Sequence, residues 1–233
     1  MKFGICNEVF EGWSIDDTIR FVAETGYDAI EIAPFTLAQY VTEIPVAERQ
    51  RIRGVAVDNG VEVSAIHWVL IKTEGLYMTH TDTAIREKTS DYFCELVDCC
   101  ADLGGKAIVV GSPKLRNLLP GVSFEQAWEL ARETFAKSIK RAEDMGVTIC
   151  FEPLAPSETD FINTAKQAIE FVAILKATLS RSFSTSRRCH PRPSRYRISF
   201  AIRIRILPTS IATMKTSRDR DLVTLIFGRS LAR

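Results

Sequence analysis

Long apolar runs are absent from this 233-residue sequence. No stretch approaches the ~20 apolar residues that a membrane-spanning helix needs. The opening segment MKFGICNEVF lacks the extended apolar core of a secretory signal. Both absences give the expectation of a cytoplasmic protein. No G-x-G-x-x-G or Walker loop follows any apolar run, which lowers the nucleotide-binding option. The six cysteines, Cys6, Cys94, Cys99, Cys100, Cys150 and Cys189, have the spacing of neither a zinc site nor a disulfide framework. All but Cys189 sit in apolar contexts and read as buried reduced thiols. Acidic residues are also missing from one long stretch, Phe171 to Arg218. The net charge of +1 conceals this: residues 181–233 carry 12 Arg and 1 Lys against Asp219 and Asp221, a net of +11, and residues 1–180 carry 17 Lys+Arg against 27 Asp+Glu, a net of −10. Such a break marks a different domain, a tail, or a different origin of the sequence.

What is present in the first part is a repeated unit. Short apolar runs rich in β-branched residues occur at Phe3–Cys6, Ala29–Ile32, Val61–Ile66, Ala107–Val110 and Thr148–Phe151. Their near-continuous hydrophobicity is that of strands buried on both faces of a parallel sheet. Between them the pattern predicts helices from the Ser14 cap to about Thr25, over Ala47–Asp58, Thr83–Leu103 and Ser123–Met145, with another beginning over Asn163–Val172. Asp16 and Asp17 fall in a first turn, where acids favour the helix dipole, and Gly26, Gly60, Gly104 and Gly146 stand where left-handed caps end helices. Five strand–helix units at spacings of roughly 30–45 residues suggest a doubly wound sheet or a (β/α)₈ barrel. Polar residues gather just after the strands: Asn7 and Glu8, Glu31, His67, Ser112 and Lys114, and Glu152. A barrel brings such strand ends together on the face that carries its active site.

Glu152 closes the apolar run Ile149-Cys150-Phe151 and is followed six residues later by Glu158. The stretch FEPLAPSETDFINT resembles the fifth-strand motif of the sugar phosphate isomerase/epimerase family, the xylose isomerase-like TIM barrels that include ketose 3-epimerases. VVGSPKLRN at the fourth strand, AIHW at the third and the order of elements over residues 1–175 give weaker support. The resemblance implies a (β/α)₈ barrel, incomplete here, and a divalent metal ion held by ligands from four strand ends. It implies Glu152 as metal ligand and catalytic base and Glu158 as a substrate-binding residue. A metal would polarise a ketose carbonyl and acidify the neighbouring C–H, a carboxylate would remove that proton, and a second acid on the other face would return one. His67 could bind substrate, bind metal as in related barrel endonucleases, or pack as a neutral ring beside Trp68. Lys114 and Arg116 could hold a phosphate but read more simply as solvated loop charges. Trp13, Trp68 and Phe35 could wall the sugar or fill the core, and His80 is given no role.

The resemblance also implies a sixth-strand Asp, a seventh-strand His and an eighth-strand Glu, and no such strand ends appear after residue 175. Three readings of residues 176–233 compete: a basic nucleic-acid-binding tail, a disordered extension, or coding sequence translated out of frame. The last can be tested on the letters. Ile211-Ala212-Thr213-Met214-Lys215-Thr216 written as ATT-GCA-ACG-ATG-AAA-AC, read one base earlier with the C of a Ser210 codon, becomes HCNDEN. Continued in both directions, this frame admits LDVKAM and HFHCND, which resemble the family at the missing sixth and seventh strands. The expectation is that the frame is lost between about Val172 and Thr178, and that residues 176–233 are not a genuine domain.

The function expected of the intact barrel is metal-dependent isomerisation or epimerisation of a sugar or sugar phosphate. The partner is a small-molecule sugar, with no nucleic acid and no membrane; homo-oligomers are admitted. An apurinic endonuclease-like barrel is the rival within the enzyme class, disfavoured by the −10 body charge and by a fourth strand ending in Gly111-Ser112-Pro113. A non-catalytic barrel that only binds is the rival from another class.

Overall fold

Strands that are apolar on both faces can be stable only between two covering layers, and helices that follow each strand supply one of them. The computed structural model describes the backbone of residues 2–184, 203–206, 210–213 and 224–226, and the side chains of residues 2–175. Its elements alternate: β1 (Lys2–Cys6), α1 (Ile15–Glu24), β2 (Ala29–Ile32), α2 (Val46–Asp58), β3 (Glu62–Ile66), α3 (Thr83–Asp102), β4 (Ala107–Val110), α4 (Phe124–Met145), β5 (Thr148–Phe151) and α5 (Ala165–Ser184). These match the elements expected from the sequence to within a residue or two at most ends. β3 begins at Glu62 because the Val61 amide is used to close the preceding helix, donating to Ala56 O at 2.9 Å.

The five strands lie in chain order, each parallel to its predecessor, with Ile5 opposite Ile30, Ile30 opposite Val63, Ile66 opposite Ile108 and Val109 opposite Cys150. One irregularity lies between β2 and β3, where the register shifts between Ile30 and Glu31. Ser64 is the extra residue, and its hydroxyl donates to Ile30 O at 3.3 Å. Bulges of this kind re-aim a strand end, and this one adjoins Glu31.

Helix ends follow local chemistry. Ser14 Oγ accepts from the Asp17 amide at 3.1 Å to cap α1. Ser123 and Gln126 cap α4 reciprocally, side chain to backbone at 3.2 and 2.8 Å. Gly146 ends α4 at φ 66°, where a Cβ would be strained. The core between sheet and outer helices is aromatic at the β5 end: Phe135, Phe151, Phe161 and Phe171 are all fully buried or nearly so, with the Phe151 and Phe171 rings 5.1 Å apart. Arg49 shows how a buried cation is accommodated here. It donates to Ile44 O and Val41 O and pairs with Asp102 at 3.1 Å, fastening α2 to α3.

Three further short strands are described. β6 (Arg203–Ile206) and β7 (Ser210–Thr213) pair antiparallel with each other, and β8 (Thr224–Ile226) runs parallel beside β1. The larger sheet therefore reads β5-β4-β3-β2-β1-β8. Among the described residues β5 has β4 as its only neighbour, so β5 is the edge of the described sheet. The sixth- and seventh-strand positions of a parallel barrel are not filled by β6 and β7, which form a separate hairpin. The remaining residues to which the out-of-frame reading applies lie outside the described ones. No helix among the described residues is long and apolar enough to cross a membrane.

Candidate functional site

Parallel strands in chain order place their C-terminal ends side by side. Cys6 ends β1, Glu31 lies in β2 directly opposite it, His67 follows β3, Gly111 and Ser112 follow β4, and Glu152 follows β5. The sheet ladder itself carries the ends forward: the His67 amide donates to Ile32 O at 2.9 Å and the Glu152 amide to Val110 O at 3.0 Å. Glu31 and Glu152 are buried, 2% and 5% exposed. Between them stands His67, whose Nδ1 is 3.5 Å from Glu31 Oε2 and whose Nε2 is 3.5 Å from Glu152 Oε2. Burial pushes the imidazole down, but hydrogen bonding to Cys6, Glu152 and Glu31 outweighs it and holds the ring protonated well above its ordinary range. Burial pushes the Cys6 thiol up, against the hydrogen bond to His67.

Two features make room for Glu152 and hold it. A Cβ on Gly111 would stand 2.9 Å from Glu152 Oε2, so the carboxylate occupies space that only glycine leaves. Arg116 is 0% exposed and donates from Nη1 to Glu152 O at 2.9 Å and from Nη2 to Ile162 O at 3.5 Å. Its guanidinium also lies 5.2 Å from the centre of the Phe151 ring. Burial pulls its pKa down to about 10, against the attraction of Glu152 and Glu158. The sequence reading of Arg116 as a solvated loop charge is therefore corrected: the side chain turns inward to meet two carbonyls that flank the β5 loop. Lys114, by contrast, is exposed as expected.

The backbone is strained around these groups. Trp68, Ser112 and Ile162 are non-glycine residues at φ 57°, 35° and 58°. Such conformations cost about 1–3 kcal/mol each and persist where surrounding structure enforces them. The Trp68 ring stacks on His67 at 5.6 Å and 29°, so the packing of His67 against Trp68 is real but does not exhaust the histidine, whose two nitrogens face carboxylates. Glu158 is exposed, and its carboxylate accepts from the Ala155 amide at 3.2 Å, which places it on the loop after β5. Trp13 is 51% exposed against Phe10 and Phe21, and Phe35 lies half-buried with Lys72 Nζ 4.7 Å above its ring. Asn7 is absorbed by structure, accepting from the Ala33 amide and donating to Thr36 Oγ1. His80 accepts from the Asp82 amide ahead of α3.

Sequence reasoning noted Glu31 as a polar residue at a strand and gave it no role, and it left Cys6 among the inert thiols. The signal that joins them is register, Cys6 opposite Glu31, which no local pattern discloses. For the divalent ion that the family resemblance implies, the described residues fit in kind. Glu152 Oε2 and His67 Nε2, 3.5 Å apart, are spaced like neighbouring ligands of one ion with bonds near 2.0–2.2 Å. They do not suffice in number, since such ions take about four to six donors.

A parallel barrel layout with buried carboxylates gathered at the carboxyl ends of its strands defines a TIM-barrel protein with a strand-end site. The family model of the xylose isomerase-like TIM barrels matches residues 19–178, and the chain belongs to that family. It is 28% identical over 182 residues to a D-psicose 3-epimerase of Agrobacterium fabrum, covering 74% of this chain and 59% of that protein. It is 27% identical over 179 residues to a D-psicose 3-epimerase of Ruminiclostridium cellulolyticum, covering 74% of this chain and 58% of that one. Among solved structures, a D-psicose 3-epimerase crystallised in the presence of D-fructose superposes with a TM-score of 0.62 at 25% identity, over 75% of this chain and 60% of the other. A 3-keto-D-glucoside 4-epimerase of E. coli, at 20% identity and a TM-score of 0.61, shares the fold. The chain thus spans less than two thirds of the length of these curated relatives.

Proposed function

We propose that the intact barrel to which residues 1–175 belong epimerises or isomerises a ketose or ketose phosphate by moving a proton next to its carbonyl. The observation that carries this reading is Glu152: a buried carboxylate at the end of β5, given room by Gly111 and facing His67 Nε2 at 3.5 Å. Similarity to D-psicose 3-epimerases supports the ketose as substrate class. Glu152 accepts the proton from the carbon beside the carbonyl. Its burial away from water and the Arg116 bond to its own carbonyl keep the carboxylate in one place for that transfer. His67 and Glu158 hold substrate oxygens, His67 from the β3 end and Glu158 from the loop beyond β5. A divalent ion bound by Glu152 and by later strand ends of the intact barrel would make the C–H more acidic by polarising the carbonyl.

The proposal extends to the arrangement of the chain. Residues 1–175 form the barrel portion, and the reading frame departs between about Val172 and Thr178. The end of the family match at residue 178 and the antiparallel β6–β7 hairpin both support this. The experiment that tests the function is hydrogen exchange with D₂O at C3 of D-psicose or D-fructose, catalysed by the frame-restored protein. Glu152→Gln should lower exchange by about 10²–10⁴-fold with unchanged circular dichroism. Exchange at the wild-type rate in that folded variant rules out Glu152 as the base.

A further inference from the structure

We propose that Cys6, Glu31 and His67 form a binding site for a thiophilic divalent ion of the zinc type; it adjoins the Glu152 centre and shares His67 with it, but it does not require the epimerase reading. Among the described residues this is the one set of three or more His, Cys, Asp and Glu side chains whose ligand atoms all lie within 4.8 Å of one another. The three come from neighbouring strands. Cys6 and Glu31 are direct partners in the β1–β2 ladder, and the His67 amide is bonded to Ile32 O, one residue beyond Glu31. Sheet register, rather than loop conformation, therefore fixes the donor set. That is the kind of rigid support a metal site needs.

The donors are a thiol, an imidazole nitrogen and a carboxylate oxygen. Zinc binds these at about 2.3, 2.0–2.1 and 2.0–2.2 Å, which puts neighbouring ligand atoms roughly 3.3–3.8 Å apart in a tetrahedron. The Glu31 Oε2–His67 Nδ1 separation is 3.5 Å. With every separation within 4.8 Å, no pair need close by more than about 1 Å, a shift within reach of side-chain rotation. A sulfur donor favours zinc, cadmium or cobalt over magnesium and calcium, which take oxygen. Cys6 and Glu31 are buried, so the ion would sit out of bulk water. Binding releases the thiol proton and the imidazole proton to solvent, and the resulting thiolate and carboxylate neutralise the charge of the ion. No electron is transferred. Three protein ligands leave one position open, as in zinc sites that accept an exogenous ligand.

The 233-residue chain, reduced and freed of metal, is titrated with cadmium chloride alone, and the ultraviolet thiolate-to-cadmium charge-transfer band is read. One equivalent should bind. Cys6→Ser should abolish the band, His67→Asn should weaken binding by at least about tenfold, and a hundredfold excess of magnesium should not displace the ion. A Cys189→Ser variant should keep the band. Absence of a band in the wild type, or its persistence in Cys6→Ser, overturns the proposal. If Cys6→Ser does not fold, alkylation of the wild-type thiols decides: zinc should slow modification of the Cys6 peptide, and an unchanged rate overturns the site. Glu152→Gln should retain the band while losing C3 exchange in the frame-restored protein, so failure of this site and failure of the epimerase reading are read separately.

Discussion

Arg116 and Gly111 act on one carboxylate from two sides, and their substitution should separate stability from function. In Gly111→Ala the new Cβ would stand 2.9 Å from Glu152 Oε2. The atom it meets is the free end of a side chain, so the carboxylate turns away and the fold yields little. We expect a stability change under about 1 kcal/mol, read by urea denaturation, beside a large loss of C3 exchange in the frame-restored protein. Wild-type exchange in this variant would mean that the observed carboxylate position is not the working one. Arg116→Ala removes the donor to Glu152 O and Ile162 O and opens a cavity against Phe151. It should cost about 2–4 kcal/mol, and the same denaturation curve checks it. Glu152 was legible in the sequence, because a carboxylate that ends an apolar strand stands out. Arg116 was not. Whether a loop arginine meets water or carbonyls depends on where the loop after β5 returns, and that is a tertiary fact. Cys6 and Glu31 were hidden for a similar reason, since 25 residues separate them in the chain and only the ladder brings them together.

At the scale of elements, local chemistry suffices where the partner is local. The Ser14 and Ser123 caps, and the Gly146 stop, involve residues within a few positions of one another. That is why helix limits could be read before any fold was known. Ser123→Ala should cost about 1 kcal/mol by removing the acceptor for the Gln126 amide, read as a lowered melting temperature. Helix α3 carries a second, pH-dependent expectation. Burial raises the thiols of Cys99 to about 11 and Cys100 to about 12. An unfolded thiol ionises near 8.5, so between that pH and the folded values the native state holds protons that the unfolded state has lost. The stability they represent is complete below about pH 8.5 and declines as pH rises, by up to about 1.4 kcal/mol per pH unit for each thiol. Denaturation midpoints at pH 8 and pH 10 measure it. A Cys99→Ala, Cys100→Ala double variant should show a shallower decline.

For the whole molecule, the five chain-ordered parallel strands made the architecture legible as far as β5, and the family match over residues 19–178 takes in β2 to β5. Beyond it the composition changed before the structure did: α5 continues to Ser184, while no acidic residue occurs from Phe171 to Arg218. A helix tolerates such a change in sequence because its hydrogen bonds are internal, whereas the next parallel strand needs a particular apolar run. On the proposed loss of frame, restoring it should raise the affinity for manganese at the Glu152 centre by orders of magnitude over the 233-residue chain, measured by calorimetry in the Cys6→Ser background. Equal affinities would argue that the strand ends supplied by the restored frame contribute no ligands. The position of β5 at the edge of the described sheet carries a consequence for how the chain behaves in company. A strand of buried type at a sheet edge is a template for any extended segment that meets it. At the concentrations of synthesis the chain should recruit chaperones or stick to its own kind, and a carboxyl-terminal half of a related barrel, supplied in trans, should suppress light scattering by zipping onto that strand.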